Sequence, residues 1–173
     1  DGTISNTAGT SSLIISGTSN LGGSITTTGN QTYSGAVTLS AATITLTTTN
    51  SDVTFGGTID SDVGQTRHLT IDTNGTTGTI QFGGLVGNTV ALGAIGITGN
   101  LDLDANIVGA ASLAVSGSSN LGADVTTSGN QTYTGVVTLS GGDRILQGST
   151  VNFGGTITGT GSHDLTVTGN LDL

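Results

Sequence analysis

Few side chains in this sequence could do chemistry, and their spacing narrows what that chemistry would be. His68 and His163 both stand just ahead of a Leu-Thr-Ile or Leu-Thr-Val run. A zinc site would want a His or Glu two or four residues away on the same face, and neither histidine has one. Both are expected as solvated strand-edge histidines, and no metal site is expected. Asp60 with Asp62 (DSD) and Asp102 with Asp104 (LDLD) each place two carboxylates on one face of a strand. Such a pair offers a weak calcium site, but the GGxGxDxUx nonapeptide of calcium-binding rolls is absent. Asp102, between Leu101 and Leu103, is expected as the outward residue of a half-buried strand.

A glycan hydrolase or lyase would need clustered carboxylates with basic or aromatic partners in a groove. Here Arg67 and Arg144 each sit alone, Tyr33 and Tyr133 are one repeat position seen twice, and lysine and tryptophan are missing. No catalytic residue, no cofactor and no enzyme activity are expected, with a carbohydrate-active β-helix enzyme as the competing class. Thr43, Thr45 and Thr47 alternate on one face, as in ice-binding solenoids, a further alternative. That use needs the same Thr pair on successive coils, and a Thr pair is not what recurs. Asn30-Gln31-Thr32, Asn74-Gly75-Thr76 and Asn130-Gln131-Thr132 fit the N-glycosylation triplet. They are expected at corners, where stacked Asn side chains hydrogen-bond along a rod.

Composition says what kind of element must hold these residues. Only 8% of the 173 residues are charged and 3% aromatic; there are 31 glycines and no proline, cysteine, methionine, tryptophan or lysine. Thr, Val and Ile recur in short alternating runs broken by Gly, Asn, Ser or Asp, which is the pattern of strands joined by tight turns. Residues 13–16, 24–27 and 36–39, with Thr43–Thr47 and Val53–Phe55, are the first such runs, and nothing reads as helix. The scarcity of large side chains suits a narrow core better than a thick two-sheet sandwich. A formal net charge of −9 disfavours nucleic acid and anionic membrane surfaces as partners. Absent cysteine removes disulfides and thiolate chemistry, and absent lysine removes any Lys–Asn isopeptide crosslink. There is no initiating Met, no signal-like segment and no apolar run of about 18 residues, so no membrane span is expected and the sequence reads as part of something longer.

The chain states one sentence twice. Residues 13–40 and 113–140 match at 19 of 28 positions, with mild swaps such as Ile25 to Val125 and Ser34 to Thr134. A shorter motif recurs as VTFGGTI at 53–59, IQFGGLV at 80–86 and VNFGGTI at 151–157. The 27-residue spacing between the first two predicts one coil of about 27 residues. TGNLDL at 98–103 returns at 168–173, so the second long copy is shorter by 28 residues, about one coil. A stacked coil drops out whole because each contacts only its neighbours, whereas a closed sandwich would open its interior. The expected fold is therefore an all-β, right-handed parallel β-solenoid (β-helix) built from stacked repeats. It is a single unit over 1–173, with long repeats at about 13–112 and 113–173. Residues 1–10 are expected to belong to the same pattern. Six or so coils would make a rod of ~30 Å. Phe55, Phe82 and Phe153 are expected in equivalent inward slots. The glycines at 56, 57, 83, 84, 154 and 155 are expected to turn one corner with positive φ.

The wording TTTGNQTYSGAVTL, VTFGGTID, HLTIDTNGTTGTIQFGGLVGNTVAL and TTSGNQTYTGVVTL resembles the repeat arrays of bacterial β-strand-repeat exoproteins, which are similar to filamentous-haemagglutinin-like secreted adhesins. The resemblance implies a non-catalytic segment of a large surface adhesin, biofilm matrix protein or extracellular filament, secreted or at the cell surface. Its partners would be neighbouring repeats, identical chains end to end, or host or matrix glycans or proteins. Such arrays bring no catalytic residues with them.

Overall fold

Alternation of small β-branched residues with polar ones gives short strands, and frequent glycine ends each after a few residues. The computed structural model describes residues 4–5, 11–75 and 77–173. Among them there is no helix, and every strand pairing is parallel. The chain is a β-solenoid. Most of residues 1–10, and Thr76, lie outside the described residues, so the expectation for the first ten is met only at the strand Ile4–Ser5.

Strand registers divide the rod into three faces. On face A, Ile25, Leu46, Ile71, Ile97, Val115, Tyr133 and Phe153 lie one above another. Face B is an eight-stranded sheet that carries Leu13, Gln31, Val53, Ile80, Leu101, Ser119, Val137 and Ile157. Face C runs from Ser19 through Val37, Ile59, Val86, Ile107, Val125 and Leu146 to Val167. Higher in the rod, the strands Ile107–Val115, Arg144–Phe153 and Leu165–Asp172 run around the corner from face C to face A. Eight levels at ~4.8 Å make a rod of about 35–40 Å, so six coils was an underestimate.

Coils are also shorter than expected. Successive face B levels are 18, 22, 27, 21, 18, 18 and 20 residues apart, so the 27-residue spacing describes one coil only. The cause is two strands that look like turns. Ser19–Leu21 and Gln31–Tyr33 are rich in Ser, Asn and Gln, yet each is a face. Two turns separate Val53 from Leu101. One turn separates their counterparts Val151 and Leu171.

The long repeat is not a whole number of turns. Leu13 begins a face B strand, whereas Leu113 lies on face A above Ile95. Four turns bring face B from Leu13 to Leu101, and two further faces bring the chain to Leu113. The second copy is thus built from the same contacts turned by one face. This corrects the aromatic slots: Phe55 and Phe82 share a column on face B, but Phe153 stands over Tyr133 on face A.

The core follows alternation. Val53 and Phe55 are fully buried with Thr54 outward, and the pattern repeats at Val137, Thr138 and Leu139. Aromatic rings pack along the columns, Tyr33 stacked on Phe55 at 5.0 Å and Tyr133 on Phe153 at 5.4 Å, with Phe82 tilted by 48° against Phe55 at 5.6 Å. The FGG glycines do not have positive φ, contrary to expectation; Gly99, Gly141, Gly142 and Gly169 are among those that do. The second glycine of each FGG is required by closeness instead. A Cβ on Gly57 would strike the Gly35 carbonyl, one on Gly84 that of Gly57, and one on Gly155 that of Gly135, each well under 3.0 Å.

Candidate functional site

The sequence-predicted candidates are not brought together. His68 lies on face A beside Thr43, and its Nδ1 accepts the N–H of Ala94 in the next coil at 2.9 Å. His163 sits in the turn before Leu165–Asp172, so the two histidines occupy different faces and levels. Among the described residues no three His, Cys, Asp or Glu side chains converge.

The paired aspartates face outward as alternation requires, yet each carboxylate binds its own neighbour. Asp60 Oδ1 accepts the N–H groups of Thr89 and Val90, at 2.8 and 3.1 Å. Asp62 takes a bidentate clamp from Arg67, Nε to Oδ1 at 2.5 Å and Nη2 to Oδ2 at 2.8 Å. Arg67 is therefore not alone, and its hydrogen bond holds the Asp62 carboxyl below the usual carboxylate range. On face B, Asp102 Oδ1 accepts from Asn120 Nδ2, and Asp104 Oδ2 from Gln81 Nε2, both at 2.8 Å. Arg144 Nη1 donates to the Gly122 carbonyl at 2.7 Å and lies 3.8 Å from Asp124. Asp60, Asp102, Asp104 and Arg144 stitch one coil to the next, whereas the Asp62–Arg67 clamp closes a loop within one coil.

Corner residues do the same with backbone. Asn30 Oδ1 accepts from Asp52 N, Asp52 Oδ1 from Thr79 N, and Asn106 Oδ1 from Asp124 N. Of the three triplet asparagines, Asn30 hydrogen-bonds along the rod, and it does so onto a backbone N–H of the adjacent coil rather than onto another asparagine. Each such bond satisfies a donor that the turn would leave open.

The most complete polar cluster is one the sequence reading missed, and it is buried. Gln31 Nε2 donates to the carbonyls of Thr47 at 3.0 Å and Ile25 at 3.4 Å and to Thr27 Oγ1 at 3.2 Å, while Tyr33 OH donates to Gln31 Oε1 at 2.9 Å. Gln131 and Tyr133 repeat it with Gln147, Val125 and Thr127, at 2.8, 3.3 and 3.3 Å, and a phenol bond of 3.0 Å. Burial pushes both phenols up from the ordinary tyrosine value. GNQTY is thus a corner cross-brace, closed to solvent, used once at the turn from face A to face B and once from face C to face A. The signal was present: period two puts Gln on the same side as Tyr. Ser119 Oγ, buried on face B, has no hydrogen-bond partner.

The outer surface offers shallow troughs. One of about 410 Å³ is lined by Leu92, Ala110, Thr126 and Gln147 among others, and one of about 330 Å³ on face B by Asn100, Asp102, Asn120 and Thr138. Outward threonines do not form a lattice: above Thr45 stand Thr70, Gly96 and Ala114, and above Thr47 stand Asp72 and Thr98. Among the described residues no helix is long and apolar enough to cross a membrane. No protein-family model, curated protein or solved structure matches the chain.

Proposed function

We propose that this chain is a structural repeat segment of a large secreted bacterial surface adhesin or extracellular matrix filament, non-catalytic, working in adhesion or fibre formation. One observation carries the reading: most of the charged side chains are engaged in joining coil to coil, while Asp62 and Arg67 close a loop within one coil. Asp60, Asp62, Asp102, Asp104, Arg67 and Arg144 each bind a neighbour along or beside the rod. Carboxylates committed in this way serve axial cohesion, which a fibre under load requires. The Gln-Tyr braces serve the same end inside. Partners are neighbouring repeats or identical chains end to end, with glycans or proteins of a host or matrix along the faces.

The test is location. An antibody raised against the chain should label intact cells or their matrix in the source organism, and surface proteolysis should remove the label. Labelling that appears only after permeabilisation would overturn the proposal.

A further inference from the structure

Asn-Gly occurs once in the chain, at Asn74-Gly75, in the corner between faces A and B. Both residues are exposed, and Asn74 holds a left-handed φ of 45°. Asp72 Oδ1 accepts the Asn74 N–H at 2.7 Å, which anchors the residue at its own nitrogen. Beyond that point nothing among the described residues holds it: the Asn74 side-chain amide, the Asn74 carbonyl and the Gly75 N–H have no hydrogen-bond partner. Other asparagines are tied at the atom that matters. The N–H that follows Asn30 goes to the Asp52 carbonyl at 2.9 Å, that after Asn100 to the Ser118 carbonyl at 2.9 Å, that after Asn106 to the Asp124 carbonyl at 3.0 Å, and that after Asn88 to Asp60 Oδ1 at 2.8 Å. Asn50 stands at the same corner one coil earlier with φ 50°, but Thr77 Oγ1 donates to its Oδ1 at 3.3 Å, and the next residue is Ser51, whose Cβ crowds the peptide nitrogen.

We propose that Asn74 is a modification site, where the folded rod converts its own asparagine to aspartate and isoaspartate without an enzyme. Gly75 N gives its proton to hydroxide or water and attacks Asn74 Cγ. The N–Cγ bond forms, the Cγ–Nδ2 bond breaks, and Nδ2 takes up a proton and leaves as ammonia. The cyclic imide then adds water. Opening at Cγ leaves aspartate; opening at the main-chain carbonyl leaves isoaspartate, whose backbone runs through Cβ and Cγ. No oxidant or reductant enters. Glycine permits the approach, since it has no Cβ beside the attacking nitrogen and its backbone turns freely. A tied N–H does not make it, because the attack would cost the bond to the adjacent coil. The corner also tolerates the product. Thr73 N–H is held by the Thr98 carbonyl at 3.0 Å on one shoulder and Thr79 N–H by Asp52 Oδ1 at 2.9 Å on the other, so the paired strands His68–Asp72 and Thr79–Phe82 keep their register. Each conversion adds one negative charge at this corner to a formal net charge of −9. This inference is independent of the fibre reading.

The test holds the whole chain, folded and in urea side by side, in warm, mildly alkaline buffer. Trypsin, added once both samples are cooled and unfolded, cuts behind Arg67 and Arg144, so residues 68–144 carry Asn74, Asn88, Asn100 and Asn106 while residues 1–67 carry Asn30 and Asn50. Fragment mass spectrometry should place the exchange of amide for acid at Asn74 in the folded chain, at a rate comparable with that in urea, with the other asparagines unchanged. An isoaspartate-specific methyltransferase should label the same peptide. Gly75→Ala should lose the conversion over the same incubation; its Cβ meets the end of the Asn50 side chain, which swings aside. Asn74→Gln should give the same loss without touching Gly75, so a Gly75→Ala chain that fails to fold leaves the test intact. An Asn74 that keeps its amide in the folded chain while converting in urea overturns the proposal. Conversion at Asn30 or Asn106 as fast as at Asn74 in the folded chain overturns it equally.

Discussion

Phe55→Ala is the sharpest probe of the stacked interior. Phe55 is fully buried between Tyr33 at 5.0 Å and Phe82 at 5.6 Å, so its removal opens a cavity with an orphaned ring on each side. Truncating a buried Phe costs about 3–5 kcal/mol, and each aromatic pair adds about 0.5–1.5 kcal/mol beyond area. Phe153 loses one ring partner, Tyr133, and is already 3% exposed. Phe55→Ala should therefore reach about 5 kcal/mol, and Phe82→Ala and Phe153→Ala about 3–4 kcal/mol. Thr54→Ala, between two buried residues but facing outward, should stay within about 0.5 kcal/mol. Urea unfolding followed by circular dichroism reads the difference, a midpoint shift of about 2 M or more for Phe55→Ala at a slope of about 2 kcal/mol/M. A Phe55→Ala cost equal to that of Thr54→Ala would refute the assigned alternation. A Phe153→Ala cost above that of Phe55→Ala would refute the column assignment.

The braces, corners and charges give further tests. Tyr33→Phe and Tyr133→Phe each leave Gln Oε1 without its donor, and each should cost about 1–3 kcal/mol in the same denaturation. Unequal costs would contradict the identity of the two braces. Gly57→Ala should destabilise by forcing a Cβ into the Gly35 carbonyl, whereas Gly96→Ala, with nothing within 4 Å, should stabilise by about 0.4–1 kcal/mol; the same sign at both sites would sink the close-approach argument. Both buried phenols titrate above their unfolded value near 10, so their contribution is complete below about pH 10 and lost as pH rises beyond it. Tyrosinate absorbance should then appear together with unfolding rather than before it. Asp62 is shifted the other way, so its clamp stabilises above about pH 4 and is lost as pH falls through the lowered value; Asp62→Asn should flatten that part of the acid limb.

The sequence determined the class of fold and its faces of alternation. Val53-Thr54-Phe55 and Val137-Thr138-Leu139 carry period two in their own letters, and helix was excluded by the brevity of every such run. The count and size of coils were not legible, because Ser19–Leu21 and Gln31–Tyr33 spend inward positions on polar side chains, and at Gln31 the partner that makes this acceptable is seen only once the coil is closed. Glycine was legible as punctuation, but its reason at 57, 84 and 155 is the carbonyl of Gly35, Gly57 and Gly135 in the coil beneath, a contact between residues far apart in sequence. The Asp62–Arg67 clamp lay five residues apart in the sequence, yet its closure depends on a turn conformation. Only the stacked structure decided that a repeat 100 residues long advances four turns and two faces. Sequence similarity fixes which contacts recur, while the azimuth at which they recur depends on the summed lengths of all the coils between.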